Sequence, residues 1–242
     1  MSRQVELSKR MQAVADMVTV GNRVCDVGCD HGYVSIYLVQ AGISPRVLAM
    51  DVNKGPLKRA KEHVKAYEKE AYIELRLSDG LCAYKKGEAD SLLCAGMGGR
   101  LLMKILEREP DKTESFRELI LQPQSELKLF RKFLREKGYS ILAENMILED
   151  GKFYPMMKVS PKSMGTGTEI QDEDTESMDL LGPYLLQNQN PVLLAYIRQE
   201  IQVKEGILEG LKKQEQKEKL LLRRQEIEKE LVLLKNAVQK WY

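Results

Sequence analysis

The chain has 242 residues, more than the usual single domain, so one full domain with an appendage is expected. Its 38 basic and 36 acidic side chains leave a net charge of +2, too little to select or exclude a polyanionic partner. No apolar stretch approaches the ~20 residues of a membrane span, and the N-terminus carries no signal-peptide core, so a cytoplasmic location is expected. The four cysteines, Cys25, Cys29, Cys82 and Cys94, have no zinc-type spacing and only two histidines to assist them. They read as buried reduced thiols, with no metal site.

In chain order, Leu7, Met11, Val14 and Val18 have helical spacing. From there to about residue 160, short apolar runs alternate with longer amphipathic ones, the pattern of βαβ units. The strands are expected at 23–27, 46–51, 73–77, 91–94, 119–122, 139–148 and 153–159. Most of the early ones are too short and apolar to have a solvent face, as in a central parallel sheet. Helices are expected over 56–67, with Pro56 in its first turn, and over 125–137, with Ser125 as cap and Gly138 as terminator. Only Glu149-Asp150-Gly151 separates the last two strands, so they form a hairpin. A parallel sheet closed by an antiparallel pair is the methyltransferase variant of the doubly wound α/β fold.

Residues 161–190 are expected to be an acidic linker or loop, because 161–196 carry 1 basic and 6 acidic side chains. Beyond Pro191, apolar residues recur by threes, fours and sevens: Ile197, Ile201, Leu208 and Leu211, then Leu220, Ile227, Leu231, Leu234, Val238 and Trp241. The polar run 212–219 interrupts them, which suggests two helices folded back as a coiled-coil hairpin over 191–242; one unbroken helix extending into a dimer is the alternative. The first domain is taken as 1–160.

The chemistry-bearing residues lie where strands end. The first strand runs through Asp26-Val27-Gly28 into Cys29-Asp30-His31-Gly32 and then a helix. A glycine at 28 lets backbone approach a ligand, and the helix start offers free N–H groups to a carboxylate. Position 30 is Asp, so the turn departs from Gly-x-Gly-x-x-Gly. Asp51 ends the second strand, where a carboxylate can accept both ribose hydroxyls of a nucleoside or, alternatively, cap the next helix. Ser78-Asp79-Gly80 follows the third strand and suits an adenine edge, or is a plain Asp-Gly turn. After the fourth come Gly96-Met97-Gly98-Gly99-Arg100, three glycines in four positions. The fifth ends in Gln122-Pro123-Gln124, amides able to read a base edge. Asp26, Asp30 and His31 are the titratable groups nearest this rim, although His31 could equally be a helix-start wedge. Arg3, Lys9, Arg10, Lys54, Lys58, Arg59 and Arg100 belong to the same edge and would hold phosphates or simply face solvent.

Taken together, Leu7-Ser8-Lys9-Arg10, Asp26-Val27-Gly28-Cys29-Asp30-His31-Gly32-Tyr33, Gly96-Met97-Gly98-Gly99, Gln122-Pro123 and Gly151-Lys152-Phe153-Tyr154, in this order, resemble the bacterial tRNA (adenine-22, N1) methyltransferase family over nearly the whole chain. That family more often carries Ala at the position of Gly32 and Asn at that of Gln124. The resemblance implies a Rossmann-like class I methyltransferase sheet with a C-terminal helical hairpin, S-adenosylmethionine as donor and tRNA as substrate. Its donor site would comprise Gly28, His31, Asp51, Val52, Asp79, Gly80, Gly96, Met97 and Gly98. Asp26, Asp30 and His31 would assist the chemistry, and Arg10, Gln122, Pro123 and Tyr154 would face the substrate. Lys212, Lys213, Lys217, Arg223 and Arg224 of the hairpin would add a second RNA grip, and a monomer is expected. The competing readings are a methyltransferase acting on another RNA or a small molecule, and a non-catalytic scaffold with a partner-binding coiled coil.

Overall fold

In the computed structural model, residues 4–162, 172–212 and 218–242 are described. Two compact units divide the chain, Met1–Thr168 and Glu169–Tyr242. The first is built in the order α1 (Lys9–Asp16), β1 (Val24–Val27), α2 (Tyr33–Gln40), β2 (Val47–Asp51), α3 (Lys54–Ala66), β3 (Ile73–Leu77), β4 (Ser91–Met97), α4 (Gly99–Arg108), α5 (Pro110–Thr113), β5 (Glu118–Pro123), α6 (Leu127–Glu136), β6 (Ser140–Glu149) and β7 (Lys152–Ser160).

All seven strands form one sheet in the order β3-β2-β1-β4-β5-β7-β6. The first five are parallel, whereas β7 runs antiparallel to β5 and pairs with β6 as a hairpin. Every residue of β1, β2 and β5 is buried, which is why these segments are apolar without alternation. Chain order reverses between β1 and β4, and a ligand crevice in such sheets opens beyond the strand ends at that point. One core cluster fills each face: Leu92, Leu102, Leu106, Phe130 and Leu134 on one side, Val14, Ile36, Leu38 and Val64 on the other.

Two local expectations are corrected. Strand β4 continues to Met97, three residues past the apolar run, because Gln122 and Pro123 of β5 extend alongside Ala95 and Met97. Ser125 does not cap α6, whose N-cap is Glu126 at φ 50°. The Ser125 hydroxyl instead accepts the Gly99 N–H at 3.3 Å, serving the first turn of the neighbouring helix α4.

The second unit contains α7 (Asp172–Leu181), α8 (Pro183–Gln187), α9 (Pro191–Lys212) and α10 (Glu218–Trp241). Much of the expected linker is therefore helical. The acids crowd into 172–179, but Met178, Leu181, Leu185 and Leu186 are buried, an apolar spacing that the charge obscured. Helices α9 and α10 run antiparallel: Tyr242 Oη donates to the Asn190 carbonyl at 2.9 Å, and Lys204 pairs with Glu230 at 2.7 Å. Leu193 and Ile197 are buried, as are Ile227, Leu231, Leu234 and Ala237 on the facing helix. Lys213 and Lys217 lie outside the described residues. Arg223 and Arg224 are each paired along their own helix, with Glu226 at 3.1 Å and Glu228 at 2.8 Å.

Candidate functional site: the strand tips around Gly28

A cavity of about 210 Å³ opens at the ends of β1 and β4, lined among others by Ser8, Met11, Asp26, Gly28, Asp30, His31, Tyr33 and Ala95. Its walls come from segments far apart in sequence, because α1 lies over the same sheet edge as the β1 turn.

Asp26 is its buried acid. The carboxylate accepts the Ser35 hydroxyl at 2.6 Å. Burial pushes its pKa up from 3.8 to about 6, the Ser35 hydrogen bond opposes that shift and nearby Asp51 adds to it. Ser35 had no signal in the sequence beyond lying one turn into the helix that follows.

Gly28 has φ 76°, and a Cβ there would stand 2.2 Å from the terminal methyl of Met97. The first and fourth strand tips thus touch through a bare α carbon and a flexible thioether side chain. Asp51, buried at the tip of β2, accepts the N–H of Asn53 at 2.8 Å and of Asp30 at 3.2 Å. It ties the β1 turn to β2 and is not a side-chain cap of α3, which has none. Val52 beside it is 58 % exposed, an apolar side chain standing open at the strand tip. Asp79 is engaged by Arg108, and Gly80 packs against Ile105.

Asp30 and His31 sit at the mouth. The His31 Nε2 lies 3.3 Å from Asp30 Oδ1 and accepts the Arg59 Nε–H at 3.2 Å. A guanidinium only donates, so this arrangement places the ring proton on Nδ1. Gly32 caps α2 with φ 77° and frees the first-turn amides.

The substrate-side residues divide. Arg10 lies over the Tyr154 ring at 4.8 Å and donates from Nη1 to Gln122 Oε1 at 3.3 Å. Gln122 is fully buried: the same oxygen accepts the Gly96 N–H at 3.0 Å, and its Nε2 donates to the Pro123 carbonyl at 3.3 Å. Both ends of the Gln122 amide are thus used inside the protein, between Gly96 and Arg10, and Pro123 is buried with it. The exposed amide at this rim belongs to Gln124, whose Nε2 would lie 3.7 Å from a Cβ on Gly96. Among the described residues no group of three or more His, Cys, Asp or Glu is assembled as a metal site.

The residues fit a nucleoside methyl donor. Ligand pockets run from about 300 Å³ upward, so the cavity would hold only the amino-acid end, at Asp26 and the α2 amides, with the nucleoside laid across the open tips toward Asp51, Val52 and Gly80.

A mixed seven-stranded sheet with its switch point at glycine-edged tips and an antiparallel hairpin at one end defines a Rossmann-like methyltransferase, and the family model for a methyltransferase domain matches residues 7–157. A tRNA (adenine(22)-N(1))-methyltransferase from Bacillus subtilis is 33 % identical over 236 residues, covering 97 % of this chain and 98 % of its own. The crystal structure of the B. subtilis m1A22 tRNA methyltransferase superposes with a TM-score of 0.85 at 32 % identity, covering 97 % and 99 % of the two chains. Streptococcus pneumoniae Sp1610, solved in complex with S-adenosyl-L-methionine, gives 0.83 at 31 % identity, covering 96 % and 99 %. The chain belongs to the tRNA (adenine(22)-N(1))-methyltransferase family.

Proposed function

We propose that this protein transfers a methyl group from S-adenosylmethionine to N1 of adenine 22 in tRNA, working in the cytoplasm. The observation that carries the reading is the convergence of Asp26, Gly28, Asp51 and Gly96 at one rim, in a chain that covers family members from end to end.

When bound, S-adenosylmethionine supplies an electrophilic methyl group on a sulfonium. The α2 amides would hold its carboxylate and Asp26 its ammonium, Asp51 the ribose hydroxyls, and Val52 with the Asp79-Gly80 turn the adenine. Adenine N1 carries its own lone pair, so the task of the protein is alignment more than proton abstraction. The methylated base is cationic until N6 loses a proton, and the carboxylates of Asp26 and Asp30 lie at the cavity to stabilise that charge. His31, with its Nε2 lone pair turned to Arg59, serves to orient the mouth. Gln122 holds the Gly96 amide and Arg10 in one frame, and Arg10 with Tyr154 supplies a cationic and aromatic surface beside them.

The test is methylation of an unmodified tRNA transcript with labelled donor, followed by nucleoside analysis. The expected product is 1-methyladenosine, lost when position 22 is changed to guanine. A labelled product at another base, or none with tRNA, defeats the assignment.

A further inference from the structure

Beside the mouth of the cavity an aromatic pair stands assembled on the surface. Tyr33, the first residue of α2, stacks on His63 of α3 with ring centroids 4.5 Å apart and planes 22° from parallel. The His63 Nδ1–H donates to the His31 carbonyl at 2.9 Å, which leaves Nε2 to accept the Tyr33 hydroxyl at 3.2 Å. Both ring nitrogens are therefore engaged, and the pair is held in one orientation. His31 extends it, 5.9 Å from His63 and 6.3 Å from Tyr33. Tyr33 is nevertheless 38 % exposed. Ordering an aromatic ring without burying it gains little for folding, whereas it presents a ready stacking face.

The helix that carries His63 is also strongly one-sided in charge. Lys54, Lys58, Lys61 and Lys65 recur by fours and threes along one exposed stripe, with Arg59 beside it and only Glu62 of opposite sign. Among the described residues none of these five cations is paired with a carboxylate, and Arg59 instead donates to His31. Unpaired cations along a helix, adjoining a fixed aromatic face, match what single-stranded nucleic acid needs: charge for the backbone and a ring for a base.

We propose that α3 and the Tyr33–His63 pair form the RNA track of the donor domain, in which the lysine stripe takes tRNA phosphates and the aromatic pair stacks an unpaired base of the substrate at the target site. This rests on the RNA-methylation reading above and assigns it a surface.

The experiment measures tRNA affinity with the donor site saturated by S-adenosylhomocysteine, across a salt series, for the full chain and for Tyr33→Ala, Tyr33→Phe and the double variant Lys58→Ala/Lys61→Ala. Loss of one stacked base is worth about tenfold or more in affinity, so Tyr33→Ala should weaken binding by that factor while Tyr33→Phe, which keeps the ring, stays within about twofold. The lysine pair should lower the slope of log K against log salt by roughly 1.5. Calorimetry with S-adenosylhomocysteine alone runs in parallel and should change less than tRNA affinity in every variant. Wild-type tRNA affinity in both Tyr33→Ala and the lysine variant, or a Tyr33→Ala defect confined to S-adenosylhomocysteine, overturns the track. If the unaltered protein methylates tRNA while the variants bind like it, only the track falls; if it neither binds nor methylates tRNA, the activity assignment falls as well.

Discussion

At the scale of single residues, the buried carboxyl of Asp26 gives the fold a pH dependence of its own. A carboxyl whose folded pKa of about 6 lies above its ordinary 3.8 binds protons more readily folded than unfolded. Its contribution to stability is therefore fully favourable below the ordinary value and is lost as pH rises through 6. The cost at neutral pH is about 3 kcal/mol. Asp26→Asn should accordingly raise the unfolding free energy at pH 7.5 by up to that amount, have little effect near pH 4, and cut turnover at least tenfold. Chemical denaturation at the two pH values together with a methylation assay checks it, and a variant both less stable and fully active would show that Asp26 is only a structural acid. The thiols behave differently. Burial pushes Cys25, Cys29 and Cys94 well up, so they are packing groups, whereas Cys82 is exposed, contrary to the uniform burial expected from the sequence.

Between elements, two contacts carry a cost that substitution can measure. A Cβ on Gly99 would stand 2.5 Å from the Ser125 carbonyl oxygen, a backbone atom that cannot turn aside. Gly99→Ala should therefore push the β5–α6 loop away from the start of α4, costing about 1–3 kcal/mol, and raise KM for donor. Calorimetric unfolding and kinetics test both, and an unchanged melting temperature would mean that the loop yields freely. Farther along, Arg131 of α6 and Glu144 of β6 form an ion pair at 2.8 Å with side chains 2 % and 0 % exposed. Glu144→Ala leaves a guanidinium buried without that carboxylate and should destabilise by about 3–5 kcal/mol. Replacing both partners with Met and Leu should recover most of the loss, since the pair costs desolvation that apolar side chains avoid. Double-mutant denaturation measures this.

For the whole molecule, the chain divides near residue 168 into two compact units, which a truncation can separate. Among the described residues, the cavity at the strand tips is lined by ones between Glu6 and Ala95. A chain ending at residue 168 should bind S-adenosylhomocysteine with the affinity of the full protein by calorimetry. If the helical unit grips tRNA, the same truncation should weaken tRNA binding at least tenfold. Equal tRNA affinity would restrict the substrate surface to the first unit. The charges of α10 limit that second grip, since Arg223 and Arg224 are already neutralised by glutamates one turn away.

Strand positions, the closing hairpin and the glycine-edged turns were legible in the sequence, because buried parallel strands must be short and apolar and because backbone that passes close to a ligand or a neighbour excludes Cβ. The helices within 172–187 were not, since five acidic residues within eight positions read as a linker until packing shows that Met178, Leu181, Leu185 and Leu186 are covered. Nor could composition tell that Gln122 turns inward while Gln124 stays at the rim, or that Ser125 serves α4. Those outcomes depend on which neighbour a side chain meets across the sheet. The same holds for His63, thirty-two residues beyond His31 and at helical spacing from Arg59: chain pattern placed it on α3, and only the packing of α3 beside α2 brought it onto Tyr33.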